Sequence, residues 1–175
     1  VFVIGKAIAG GIPTGTYGLS SHLAEKVLSR TDLDLVDMGG VGGTLAGNPL
    51  QVAAMRATLE NVLTEDNFKQ MIDLATVFTD GVNELFEKYN LPWSINQLGA
   101  RAEYRFAKPY PKNGTAAYES ADAELEDFLH VYLANRGIML TPFHNMALMC
   151  PTTTLADVEE HHRVFEEAIK ELVAS

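Results

Sequence analysis

Cysteine is almost absent. The 175 residues hold one, Cys150, which excludes an intrachain disulfide framework and fits a reducing, cytoplasmic compartment. Its setting, Leu148-Met149-Cys150-Pro151, predicts an inert buried thiol. Long apolar runs are missing too. No stretch reaches the roughly 18 residues that a membrane-spanning helix needs, and no signal-peptide pattern precedes the first strand. Positive charge is scarce: 13 Lys and Arg stand against 23 Asp and Glu, a formal net charge of -10. That balance argues against nucleic acid or an anionic membrane as the main partner. Metal-ligand spacing is lacking as well. His161-His162 lie in the last helical segment without a cysteine or carboxylate pattern that demands a metal, so none is expected. Neither repeats nor low-complexity tracts occur, and no nucleophile–histidine–acid arrangement can be read from the order.

What remains is the balance of a folded protein, 47% hydrophobic and 21% charged. The chain opens on Val1-Phe2-Val3-Ile4 without methionine, cap or polar lead-in. A continuous apolar run of this kind predicts a strand buried on both faces, with neighbours beside it and layers above and below. The rest of the sequence supplies few such neighbours. The chain is therefore expected to be a piece of a longer polypeptide whose remaining part lies before Val1.

After the strand comes Gly5-Lys6-Ala7-Ile8-Ala9-Gly10-Gly11-Ile12-Pro13-Thr14-Gly15-Thr16-Tyr17-Gly18. Its glycines allow tight turning and close backbone approach. Tyr17 to Leu19 predicts a short strand, and Ser20-Ser21 caps a helix to about Arg30. Thr31 to Gly47 reads as an irregular glycine-rich connection. Asn48-Pro49 predicts a capped helix start running to about Leu63, with Leu50, Ala53, Ala54, Ala57 and Leu59 suited to close packing. A second helix, about Asn67 to Tyr89, carries a 3.6-residue apolar stripe from Phe68 to Tyr89 and is stopped by Asn90-Leu91-Pro92. Beyond it, 93–97 and 101–107 alternate as strands, and Lys108 to Gly114 reads as a loop. A helix is expected from about Ala121 to Asn135, strands at Ile138–Thr141 and Ala147–Met149, and a capping box at Thr154–Asp157 opening a last helix.

Lys6, at the mouth of an apolar strand, is the residue with most chemical content. A surface lysine beside a turn is the plain alternative. Apolar neighbours on both sides predict a costly desolvation unless the amine pairs or loses its proton, and a neutral amine is what Schiff-base chemistry with an aldehyde requires. Further on, Gly42-Gly43-Thr44-Leu45-Ala46-Gly47-Asn48-Pro49 brings glycine amides and a threonine hydroxyl to a helix N-terminus, a plausible phosphate cradle. An ordinary glycine-rich loop before a capped helix is the alternative there.

Gly5-Lys6 followed by Gly10-Gly11-Ile12-Pro13-Thr14-Gly15-Thr16-Tyr17-Gly18 resembles the cofactor-lysine motif of class III aminotransferases, with Ala9 where many members have glycine. The Gly43-Thr44 run resembles that family's second signature, a Gly-Thr-x-x-Gly-Asn-Pro sequence before a helix. The resemblance covers nearly the whole chain. It implies an α/β, fold type I architecture. Residues 1–63 would close a large pyridoxal-phosphate-binding domain, 64–92 would form a bridging helix, and 93–175 a small α+β C-terminal domain. It also implies that Lys6 forms a Schiff base with pyridoxal 5'-phosphate and acts as general base and acid in the proton shift. Gly43 and Thr44 would bind the cofactor phosphate of the neighbouring subunit in a homodimer.

The segment Gly137-Ile138-Met139-Leu140-Thr141-Pro142-Phe143-His144-Asn145 resembles the stretch where glutamate-1-semialdehyde aminomutase has Pro-Ser-x-Phe-Glu. Asn145 stands near that enzyme's active-site glutamate, and the departure points to aminotransferases of beta-amino acids such as beta-phenylalanine. In those, an arginine of this domain binds the substrate carboxylate; Arg136 is the first candidate and Arg101 the second, each with a structural alternative. His144 reads as structural. The expected function is amino transfer between an amino acid and a 2-oxo acid, small molecules both, with 2-oxoglutarate or pyruvate as acceptor. An aminomutase-like isomerase or another pyridoxal-phosphate enzyme is the alternative, and an inactive dimerisation fragment the non-enzymatic one. Because the family's pyridine-binding aspartate, stacking aromatic and same-subunit phosphate turn lie upstream, this piece alone is expected to be inactive.

Overall fold

A computed structural model describes residues 1–30 and 43–174. Most of the expected connection from Thr31 to Gly47, Gly42 included, falls outside them. The chain divides into two compact units, Val1–Thr64 and Glu65–Ser175.

In the first unit, β1 (Phe2–Gly5) pairs antiparallel with β2 (Gly15–Gly18), Val3 opposite Tyr17. Between them lies a 3-10 turn, Lys6–Ala9, that buries Ile8 and Ala9. Helix α1 (Ser21–Leu28) is capped by Ser20, whose side chain accepts from Leu23 N, and buries nothing. Helix α2 (Pro49–Asn61) starts as expected, with Leu50 N donating to Asn48 Oδ1 at 2.9 Å and proline in its first turn.

Two stretches of this unit stand open. The opening strand is not enclosed: Val1, Phe2 and Val3 are 76%, 69% and 72% exposed. A strand needs cover on both sides to be buried, and among the described residues β2 is its one sheet neighbour. Nor is α2 closely packed, for Leu50 and Leu59 are exposed and Thr58 is its one buried residue.

The second unit is built around α3 (Glu65–Lys88), which buries Met71, Ala75, Phe78, Val82, Leu85 and Phe86 at helical spacing. It packs on a three-stranded antiparallel sheet of order β3 (Ser94–Leu98), β4 (Arg101–Arg105), β5 (Met146–Leu148). Helix α4 (Gly114–Glu119) follows β4, then α5 (Ala123–Ala134), capped by Asp122. The last helix, α6 (Leu155–Ala174), opens on the capping box, with Thr154 N donating to Asp157 Oδ2 at 2.8 Å and Asp157 N to Thr154 Oγ1 at 3.3 Å. Phe86, Trp93, Tyr104 and Phe165 meet edge-on or tilted in one core. Gly81 of α3 faces α6 so closely that a Cβ there would sit 2.3 Å from the His162 ring.

Differences from the sequence reading are local here. Ile138–Thr141 forms no strand; only Thr141 N reaches across, to Met146 O at 3.2 Å. Asn113-Gly114 does not merely turn: Asn113 caps α4, accepting from Ala116 N. Cys150 is exposed rather than buried. Hydrogen bonds from the Thr152 and Thr153 side chains hold its thiol down at about 7, so it is not the inert group its apolar neighbours suggested.

Candidate functional site

Lys6 begins the 3-10 turn, and its φ of 63° places a residue with a Cβ in the left-handed region. The turn is fixed at its far end. Gly10, also left-handed, lies where a Cβ would be 3.2 Å from Thr58 Oγ1, so the backbone comes close to α2. Ile8 and Ala9 are buried behind it. Lys6 itself is exposed. The costly desolvation expected from its apolar neighbours does not arise in this unit, because the β1 side chains beside it are open to solvent as well.

The second expected element is a tight turn. Ala46 N donates to Gly43 O at 2.8 Å and Asn48 N to Leu45 O at 3.2 Å, delivering the chain into the capped start of α2. Thr44 is exposed, and a Cβ at Gly43 would meet nothing within 4 Å. Amide and hydroxyl are thus open donors beside a helix N-terminus. Gln51, which sequence reasoning passed over, ties the two motifs together: its Nε2 donates to Pro13 O at 2.8 Å. No spacing rule signals a contact across 38 residues of chain.

Thr14, Thr16 and Tyr17 from β2 and its approach face Gly47, Gln51 and Met55 across a cleft of about 430 Å³. That is within the range of small-molecule sites, roughly 300–1,000 Å³. Hydroxyls line one wall. Lys6 and Thr44 are not among the lining residues.

The two candidate arginines lie in the second unit and differ. Arg136, just past the end of α5, is turned back on that helix, its Cζ 3.5 Å from the Tyr132 ring centroid and its Nη1 donating to Tyr132 O at 3.2 Å. Arg101, first residue of β4, is exposed. Asn145 is buried at 4% exposure, its Oδ1 without a partner among the described residues, whereas His144 beside it is exposed. His144 Nδ1 lies 3.7 Å from Glu103 Oε1, and Arg105 Nη2 donates to that oxygen at 2.7 Å. This cluster went unseen because it depends on cross-strand register. His161 is buried against Phe78 and Phe165, and burial, then the nearby His162, pushes it down to about 3. Among the described residues no cluster suited to a metal ion occurs, and no helix is long and apolar enough to cross a membrane.

A family model described as aminotransferase class-III matches residues 1–172. A glutamate-1-semialdehyde 2,1-aminomutase of Chloroflexus aggregans (strain MD-66 / DSM 9485) is 31% identical over 97% of this chain and 39% of its own length. Among solved structures, a glutamate-1-semialdehyde-aminomutase from Pseudomonas aeruginosa PAO1, in complex with PMP, superposes with a TM-score of 0.93. It is 45% identical over 98% of this chain and 39% of its own. A beta-phenylalanine aminotransferase from Variovorax paradoxus shares the fold at a TM-score of 0.81 and 19% identity, over 98% of this chain and 38% of its own. The chain thus spans about two-fifths of the length of these relatives.

Proposed function

The chain belongs to the class III aminotransferase family, with the fold type I architecture, and from that premise we propose that it contributes the cofactor lysine to an enzyme moving an amino group between an amino acid and a 2-oxo acid. Pyridoxal 5'-phosphate, when bound, would supply an aldehyde for the amine and a ring able to take up the electrons of the C–H bond broken at the substrate's amine-bearing carbon.

The observation that carries the reading is Lys6, an exposed amine held in a left-handed conformation on a turn anchored to α2. Left-handed residues with a Cβ cluster at functional sites, where the surrounding structure maintains them. In its neutral form Nζ accepts the proton leaving the substrate carbon, and as ammonium it returns one. The donor set fits an anionic cofactor: the Gly43 amide and Thr44 hydroxyl are open beside the α2 N-terminus. In this reading they grip the phosphate of the neighbouring subunit's cofactor in a homodimer.

Of the two arginines, Arg101 is the one we favour for the substrate carboxylate, because it is exposed while Arg136 is engaged with Tyr132. A beta-amino acid is the proposed donor, supported by Asn145 in the segment where aminomutases carry glutamate. The single cysteine supports a reducing, cytoplasmic setting.

Replacing Lys6 by alanine in the full-length enzyme should reduce turnover to background, and borohydride treatment of the wild type should leave a pyridoxyl adduct on the Lys6 peptide in mass spectra. Unchanged turnover, or an adduct on another lysine, defeats the assignment. A second reading, an aminomutase, is favoured by the 45% identity to the Pseudomonas protein. A nitrogen-labelled donor separates the two, because only amino transfer delivers the label to a second carbon skeleton.

A further inference from the structure

Helix α2 covers a single face. Gln51, Ala54 and Met55 are half-buried and Thr58 is buried, while every other residue from Pro49 to Asn61 is exposed. That spacing of i, i+3, i+4 and i+7 is one stripe along a helix, and both its end members are polar. Each end holds the turn that carries Lys6. At one, Gln51 Nε2 donates to Pro13 O at 2.8 Å. At the other, Gly10 lies where a Cβ would come 3.2 Å from Thr58 Oγ1, a hydroxyl fixed by its own bond to Ala54 O at 2.9 Å. The neck of the segment is closed by Gly5 opposite Gly15 in the β1–β2 ladder. Between neck and helix, Lys6, Gly10 and Gly11 are left-handed. The glycines adopt that conformation freely; the lysine does not.

We propose that Gln51 is a positioning residue for Lys6: its bond to Pro13 holds the left-handed turn against α2 and so fixes the point from which the amine swings. This role rests on the reading of Lys6 as the cofactor lysine. Lysine carries its amine on a flexible four-carbon stem, so the arc open to Nζ is set by where the backbone holds Cα and how Cβ leaves it. A left-handed residue with a Cβ persists only while its surroundings maintain it. Buried Ile8 and Ala9, and Thr58 against Gly10, restrain the middle of the segment. Gln51 restrains its return limb, where the chain runs back to Gly15 and the neck beside Lys6. Because that bond is exposed to solvent, its share in stability is small. A displacement of about 1 Å at a reacting group, by contrast, can slow a reaction about a hundredfold. The amide supplies position rather than cohesion.

The test compares two variants of the full-length enzyme. Gln51→Met keeps the side-chain length and loses the donor; Gln51→Lys brings an ammonium that can reach the same carbonyl. Stripped of cofactor, Gln51→Met should melt within about 2 °C of the wild type. Its recapture of pyridoxal phosphate, followed by the visible absorbance of the bound cofactor, should slow about 10-fold. Its kcat should fall about 10- to 100-fold, with KM for the amino donor within about threefold. Hydrogen exchange should quicken at the Gly10 and Ile12 amides, which donate to Ala7 O and Ala9 O within the turn. Gln51→Lys should restore recapture and kcat to within about threefold of the wild type. Unchanged recapture in Gln51→Met, or an equal loss in both variants, overturns the inference. So does a Gln51→Met enzyme that melts far below the wild type or fails to fold, since the amide would then be structural. If the wild type captures cofactor but transfers no amino group, while Gln51→Met still slows capture, the aminotransferase reading fails and the positioning role stands.

Discussion

In the unit Glu65–Ser175, Phe86, Tyr104 and Phe165 close a core in which each is at most 3% exposed. In Val1–Thr64 the buried described residues are Ile8, Ala9 and Thr58, while Val1, Phe2 and Val3 stand open. The second unit has the interior of a self-supporting domain; the first has hydrogen-bonded elements around very little interior. Yet the first carries Lys6, Gly43 and Thr44. Within this chain the residues proposed to hold the cofactor thus lie in the unit with the smaller interior, on a turn anchored to α2.

The contrast breaks most readily at Phe165. Phe165→Ala should destabilise the second unit by about 3–5 kcal/mol, seen as a large fall in the denaturant midpoint of its unfolding. A loss below about 1 kcal/mol would show that the core is looser than its burial implies. Acid sharpens the contrast at His161. Folded, its ring resists protonation down to about 3, whereas unfolded it gains a proton near 6.5. Stability should therefore fall as pH drops from 6.5 towards 3, and His161→Leu should flatten that part of the profile. An identical profile in the variant would rule the histidine out as the cause. The smallest effect belongs to the first unit. Phe2→Ala in this chain should change stability by no more than about 0.5 kcal/mol; a core-sized loss in thermal melts would mean that β1 is covered after all.

Elements governed by local rules were legible in the sequence. The α3 stripe, the Asn48 cap and the Thr154–Asp157 box each follow from residues within a turn or two of one another. Features set by distant pairing were not. Glu103 meets His144 only through the β4–β5 ladder, and Gln51 meets Pro13 through a fold that brings α2 to the glycine segment. Cys150 was misread because its apolar neighbours say nothing of the two threonines that follow it in a turn. The Lys6 and Gly43-Thr44 motifs were visible as residue patterns, but their geometry, a left-handed lysine and an open turn, was not.

The left-handed backbone at Lys6 has a consequence of its own. For a residue with a Cβ that conformation costs roughly 1–2 kcal/mol, a cost glycine does not bear. A Lys6→Gly enzyme stripped of cofactor should therefore melt higher than its Lys6→Ala counterpart while being just as inert. Such a result would mark the position as one where selection for reactivity opposes thermal robustness.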